Sequence, residues 1–174
     1  SLSPETQKNC VVINGVSKSY SMTGWRIGYL AADAAIADQI TKLQGQMTSN
    51  PASISQAASI AALDGSQDAV EKMVKEFQKR RDVLINGLRA IAGVSCYKPA
   101  GSFYAFPDFS SFYGKIGKGK PVVGSLALAE YLLTEVKVAI VPGVAFGADA
   151  HARVSFATSM ENINRGLERI ASAL

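Results

Sequence analysis

The sequence predicts an α/β layer that gives way to a compact α+β unit, on three observations. Two short apolar runs, at 11–13 and 25–32, flank a polar, Ser-rich loop, the pattern of two buried strands and their connection. Val70, Met73, Val74, Phe77, Leu84, Leu88 and Ile91 recur at three, four and seven residues, the stripe of one long amphipathic helix. Beyond Gly93 the pattern changes to short strands at 94–97, 102–106, 138–141 and 153–157. The expected division is therefore 1–66 as the end of an α/β layer, 67–92 as a connecting helix, and 93–174 as a small α+β domain.

The elements follow in order. The run at 11–13 is β-branched and closes on Asn14 and Gly15, a turn signal. Asp33 is placed to cap a helix carrying Ile36, Ile40, Leu43 and Met47 on one face. Residues 48–51, Thr-Ser-Asn-Pro, break it, and Ser53 is placed to cap an Ala-rich helix ending near Gly65. The long helix opens at Ser66. A further helix at 124–135 separates the second and third late strands. The last, at 160–174, aligns Ile163, Leu167, Ile170 and Leu174. Two strands before residue 66 with no other neighbours suggest a piece of a larger layer.

Composition narrows the classes. The 174 residues carry 18 Lys and Arg against 14 Asp and Glu, a net +4, with 48% apolar and 18% charged residues. That balance excludes a disordered chain. No five like charges adjoin, so no nucleic-acid arm is expected. No run of 18 apolar residues occurs, so no membrane helix is expected. Cys10 and Cys96 cannot build a disulfide scaffold and read as buried free thiols in a reducing, cytoplasmic setting.

Three patterns are set aside. Residues 114–121 approach a phosphate-binding loop, but Pro121 stands where a hydroxyl would hold Mg²⁺; a mobile basic loop is the reading. Ser95 and Lys98 match a serine–lysine motif without its companions. His151 is the sole histidine, which excludes a His-based triad or multi-His metal site, and it reads as a loop surface residue. No metal is expected.

The loop from Asn14 to Arg26 carries the chemistry. Lys18 lies between two strands among small hydroxyl residues, where α/β sheets place ligands. A partly desolvated lysine there is an amine nucleophile toward a carbonyl. Arg26, eight residues on, suits an anion such as phosphate. A ligand with an aldehyde at one end and a phosphate at the other, pyridoxal phosphate, answers both. The spacing is equally compatible with a surface lysine and a salt-bridged arginine.

Residues 17–29, Ser-Lys-Ser-Tyr-Ser-Met-Thr-Gly-Trp-Arg-Ile-Gly-Tyr, resemble the lysine motif of class I pyridoxal-phosphate aminotransferases, in particular the bacterial aspartate aminotransferase branch. Three further blocks match in order: Pro-Ala-Gly-Ser-Phe-Tyr-Ala-Phe-Pro at 99–107, Val-Pro-Gly-Val-Ala-Phe-Gly at 141–147, and Ala-Arg-Val-Ser-Phe-Ala at 152–157. The resemblance implies the fold type I architecture: the end of the large α/β domain followed by the small C-terminal domain. It also implies transfer of an amino group between an aspartate-like amino acid and a 2-oxo acid, by a cytoplasmic, homodimeric, biosynthetic enzyme.

The resemblance also assigns roles. Lys18 would form the imine with pyridoxal 5'-phosphate and shuttle a proton, Arg26 and Ser17 would bind its phosphate, and Arg153 would clamp the substrate α-carboxylate. Gly15 stands where many members carry another hydroxyl. The turn at Asn50 and Pro51 matches a loop that reaches the neighbouring subunit, or is a plain helix break. The family's cofactor-ring residues precede the lysine block, so the chain reads as a fragment that is inactive alone. The alternatives are another fold type I lyase or synthase, and the aminotransferase-like sensor domain of a transcriptional regulator.

Overall fold

The computed structural model describes residues 3–116 and 121–174. The reading of a basic loop at 114–121 falls in part on residues 117–120, outside the described residues. The chain divides into two compact units, Ser1–Lys72 and Met73–Leu174, each with its own apolar cluster.

The first unit opens on a helix that apolar periodicity does not signal, α1 (Pro4–Lys8), with Pro4 at its first position and Ser3 Oγ accepting from the Thr6 N–H. β1 (Val12–Gly15) and β2 (Gly28–Ala31) pair antiparallel, Val12 opposite Ala31 and Gly15 opposite Gly28. They form a two-stranded ribbon, which corrects the expectation of buried strands. Val12 and Ile13 are 51% and 79% exposed, because a two-stranded ribbon leaves its faces open at these positions. Cys10, expected to be buried, is only half-buried at the ribbon's threshold, whereas Cys96 is buried. Both are free thiols. The second strand starts at Gly28 rather than at Trp25, because Thr23–Trp25 winds into a 3₁₀ turn closed by Arg26 at φ +56°.

Asp33 caps α2 (Ala34–Met47) as expected, its carboxylate accepting from the Ala35 N–H at 3.0 Å. The stripe of Ile36, Ile40, Leu43 and Met47 lies on one side, yet α2 has no buried residue. In α3 (Ser53–Asp64) the cap is Ala52, without a side-chain bond, and Ser53 is already helical. Its inner face is made of small residues. Ser55 and Ser59 are buried, and Ala58 and Ala62 pack on Val16, Met22 and Ile27. Ser59 Oγ donates to the Ser55 carbonyl at 2.8 Å, so the buried hydroxyl is satisfied.

α4 (Asp68–Ala90) starts two residues later than foreseen, with Ser66 Oγ accepting from the Asp68 N–H. The boundary between the units falls within it. Its C-terminal half enters the second core through Leu84, Ile85 and Leu88. There it meets Leu128 and Leu132 of α5 (Gly124–Val136), Ile163 and Ile170 of α6 (Met160–Ala173), and Phe109 and Phe156. Strands β3 (Tyr104–Ala105), β4 (Val141–Pro142) and β5 (Ala152–Ser155) form one antiparallel sheet in the order β3-β5-β4, the pairing expected near 104, 140 and 154.

The strands are shorter than their apolar runs. Ser102 at φ +68° delays β3, and Pro142, lacking an N–H, ends the β4 ladder. The strand expected at 94–97 reduces to a single bridge between Ser95 and Asp108, because the next residue on the partner segment, Pro107, has no N–H to extend the ladder.

The two cores differ in weight, and this is measurable. Leu132→Ala, at a fully buried site, is expected to destabilise the Met73–Leu174 unit by about 2–5 kcal/mol in urea denaturation. Ile13→Ser is expected to cost no more than about 0.5 kcal/mol.

Candidate active site

The loop between β1 and β2 is shaped by what it buries. Val16 is fully buried, and with Met22 and Ile27 it forms the small cluster beneath the loop. The Tyr20 N–H donates to the Val16 carbonyl and the Ser21 N–H to the Lys18 carbonyl, at 3.3 and 3.2 Å. This tight turn, anchored through Val16 and Met22, turns Lys18 outward. Arg26 takes the left-handed conformation, uncommon for a side chain of its size. Its Nη1 donates to the Thr23 carbonyl at 3.1 Å.

The result is one cavity of about 450 Å³ shared by Ser17, Lys18, Ser19 and Arg26, with Asn14 and Gly15 on its wall. Its size suits a small ligand. Gly15 is needed where it stands. A Cβ there would lie 2.9 Å from the carbonyl oxygen of Ile27, the residue just before the paired strand. The hydroxyls on this cavity therefore come from Ser17 and Ser19.

Arg153 belongs to the other unit, and its environment is a set of residues the sequence reading missed. On β5, Ala152 and Val154 face the core while Arg153 stands on the opposite, half-exposed side. With Tyr104 opposite Ser155, the Arg153 guanidinium lies 4.3 Å from the Tyr104 ring centroid and 4.9 Å from that of Phe146. Among the described residues it has no carboxylate partner. Phe106 meets Phe146 edge-on at 5.9 Å and stacks on His151 at 4.9 Å. The alternation of Tyr104 and Phe106 about Ala105 is the signal that could have found this face.

His151, expected on a loop surface, is half-buried. Its backbone pairs with that of Asp108 in an isolated antiparallel bridge, and among the described residues its Nδ1 is buried without a hydrogen-bond partner. The reason is its place two residues before Arg153, at the entry to β5.

Phe146 sits in the 3₁₀ turn Gly143–Phe146, which is tied on both sides. The Val144 N–H donates to Ser125 Oγ at 2.9 Å, and Ser125 donates to Asp149 Oδ1 through its hydroxyl at 2.7 Å and its backbone N–H at 2.8 Å. The Gly143 N–H donates to the His151 carbonyl at 2.9 Å. A Cβ on Gly143 would collide with the carbonyl oxygens of Ala148 and His151. The two bonds from Ser125 hold the Asp149 carboxyl below its ordinary value of 3.8. Tyr113, whose hydroxyl donates to the Asp149 carbonyl at 2.6 Å, is pushed up to about 12, chiefly by burial.

An amine, a guanidinium and two hydroxyls line one cavity, the donor set that a small carbonyl compound bearing an anionic group calls for. Residues 2–170 match the family described as aminotransferase class I and II. The chain is 46% identical over 173 residues to a probable aspartate/prephenate aminotransferase of Rickettsia typhi, covering 99% of this chain and 43% of that protein. The crystal structure of the aspartate aminotransferase from Rhizobium meliloti matches with a TM-score of 0.94 and 44% identity, over 98% of this chain and 43% of that one. The aromatic aminotransferase from Pyrococcus horikoshii matches with a TM-score of 0.88 and 33% identity, over 99% and 44%.

The chain belongs to the class I and II aminotransferase family. The family's cofactor is pyridoxal phosphate, and the donors around Lys18 fit it. The chain spans 43% of the length of the Rickettsia relative.

Two outcomes test this geometry. Gly15→Ser is expected to lower the stability of the Ser1–Lys72 unit by about 1–3 kcal/mol through crowding against Ile27; an unchanged melting curve would contradict the close approach. Asp149 has a depressed folded pKa, so its contribution is present above the unfolded value of 3.8 and is lost as pH falls through the lower folded value. An acid titration of the Met73–Leu174 unit by circular dichroism should therefore lose stability below 3.8, and Asp149→Asn should remove part of that loss.

Proposed function

We propose that this chain carries the lysine side of an aminotransferase site, in a protein that moves an amino group between an aspartate-like amino acid and a 2-oxo acid. The observation that carries the reading is the single cavity shared by Lys18, Ser17 and Arg26. The names of the relatives, aspartate and aspartate/prephenate aminotransferase, support the substrate class. On this reading residues 1–66 serve the cofactor, 93–174 the substrate, and 67–92 connect them. The location of Lys18 and Arg153 in different compact units supports that division of labour.

When bound, pyridoxal phosphate supplies an aldehyde that captures amines and a ring that takes up the electrons of a broken Cα–H bond. Lys18 Nζ is the amine that holds the cofactor between turnovers, and the base that removes and returns the substrate Cα proton. Arg26, with its fixed backbone angle, binds the phosphate, and Ser17 Oγ adds a neutral donor. Arg153 receives the substrate α-carboxylate. Its neighbours Tyr104 and Phe146 hold the cation by their ring faces, which uses none of its N–H donors and leaves them for a carboxylate. A cytoplasmic location is supported by the two free thiols. A homodimer is supported by the open apolar surface of Val11, Val12 and Ile13.

Borohydride reduction in the presence of cofactor, followed by peptide mapping, is expected to label Lys18; a label on Lys42 or Lys98 would overturn the assignment. Arg26→Ala should weaken cofactor affinity by about 1.5–3 kcal/mol, the scale of hydrogen bonds to a charged group, in a fluorescence titration. In sedimentation, a strictly monomeric chain would count against the dimer.

A further inference from the structure

We propose that Ser125 and Asp149 are positioning residues for Arg153, acting through Phe146. The inference rests on the reading of Arg153 as the carboxylate-binding residue, and it explains how an exposed ring is kept on that side chain.

Phe146 is 48% exposed, so burial alone does not fix its ring. Its edge-on neighbour Phe106 constrains one side. The rest must come from the backbone of the turn Gly143–Phe146. That backbone is bonded at Val144 to Ser125 Oγ. Ser125 is fully buried, and its hydroxyl is oriented by donation to Asp149 Oδ1. With the hydroxyl proton committed to Asp149, an oxygen lone pair faces the Val144 N–H. The Ser125 backbone N–H donates to the same carboxylate oxygen, so the first turn of α5 and the segment after Phe146 move together.

The chain of contacts runs from Asp149 to Ser125, to Val144, to the Phe146 ring and to the Arg153 guanidinium. A cation–π contact acts within about 6 Å of the ring centroid. Phe146 lies at 4.9 Å, so a small displacement of the turn weakens it. Tyr104, at 4.3 Å, rides on β3 and is independent of the turn. Loss of the latch leaves the turn tied at Gly143, to the His151 carbonyl, so it frees the Phe146 side of Arg153 and leaves the Tyr104 side in place.

The test reads Arg153 directly, in the full chain, by the position of its Nε–Hε resonance in a proton–nitrogen NMR spectrum. Protons over aromatic faces are shifted upfield, so the wild-type resonance should lie upfield of the ordinary arginine position. Phe146→Leu measures the part owed to that ring. Ser125→Ala and Asp149→Ala are expected to move the resonance downfield by most of the same amount. Asp149→Asn keeps an accepting oxygen and is expected to leave it in place. If Ser125→Ala does not fold, the pair of variants at the exposed Asp149 decides alone.

The proposal is overturned if Phe146→Leu moves the resonance and Asp149→Ala does not. It is equally overturned if Asp149→Asn behaves as Asp149→Ala does. Titration with succinate tests the underlying reading separately. Wild type should bind it at Arg153, and Asp149→Ala should bind it about two- to fivefold more weakly, the scale of one exposed cation–π contact. If succinate leaves the Arg153 resonance of wild type unmoved, the carboxylate reading fails, while the resonance positions of the variants still decide the latch.

Discussion

A guanidinium held against two aromatic rings, with no acid beside it among the described residues, is the condition around which the Met73–Leu174 unit is arranged. An adjacent carboxylate would occupy its donors. Aromatic faces hold the cation without using its N–H groups. Meeting that condition requires β3 and β5 to pair in one register, with Tyr104 opposite Ser155. It also requires alternate residues of β5 to divide cleanly, Ala152 and Val154 to the core and Arg153 away from it. A slip by one residue would send the charge into the apolar cluster and bring Val154 out. The core of α4, α5 and α6 beneath the sheet therefore fixes the register as well as supplying stability.

The Ser1–Lys72 unit is built on a different balance. Three residues, Val16, Met22 and Ile27, make up its buried cluster, and the helix face against them is serine and alanine. Small residues let α3 approach the loop closely, and a short loop with few anchors can still present a lysine and an arginine to one cavity. Little apolar area leaves water in this arrangement, so its local stability is low on elementary grounds. The left-handed Arg26 adds to that cost, as strain concentrated at the loop that forms the cavity.

Periodicity in the sequence was a good guide to which residues share a face and a poor guide to whether that face is covered. The stripe along α2 is real, and none of it is buried. The β-branched run at 11–13 does lead into a strand, and it is open to solvent. Strands β3 and β4 are shorter than the apolar runs that contain them, because Ser102 and Pro142 rather than apolar content set where their ladders stop. That Lys18, Ser17 and Arg26 share one cavity was legible because they are close in sequence and chemically distinctive. The aromatic faces around Arg153 were not, because they come together through strand register and a turn far away along the chain. His151, alone between two alanines, had no periodic context to reveal its stacking on Phe106.

The two thiols differ in a way that makes the chain easy to tag. Cys96 is buried, its carbonyl is held by Arg89 Nε at 2.8 Å, and burial pushes its thiol up, so it is slow to form the reactive thiolate. Cys10 is partly open and lies eight residues before Lys18 in sequence. A maleimide dye offered to the folded chain should therefore couple at Cys10 with little competition. The protein thus carries its own attachment point for a fluorescent reporter at the entrance to β1, with no engineered cysteine required.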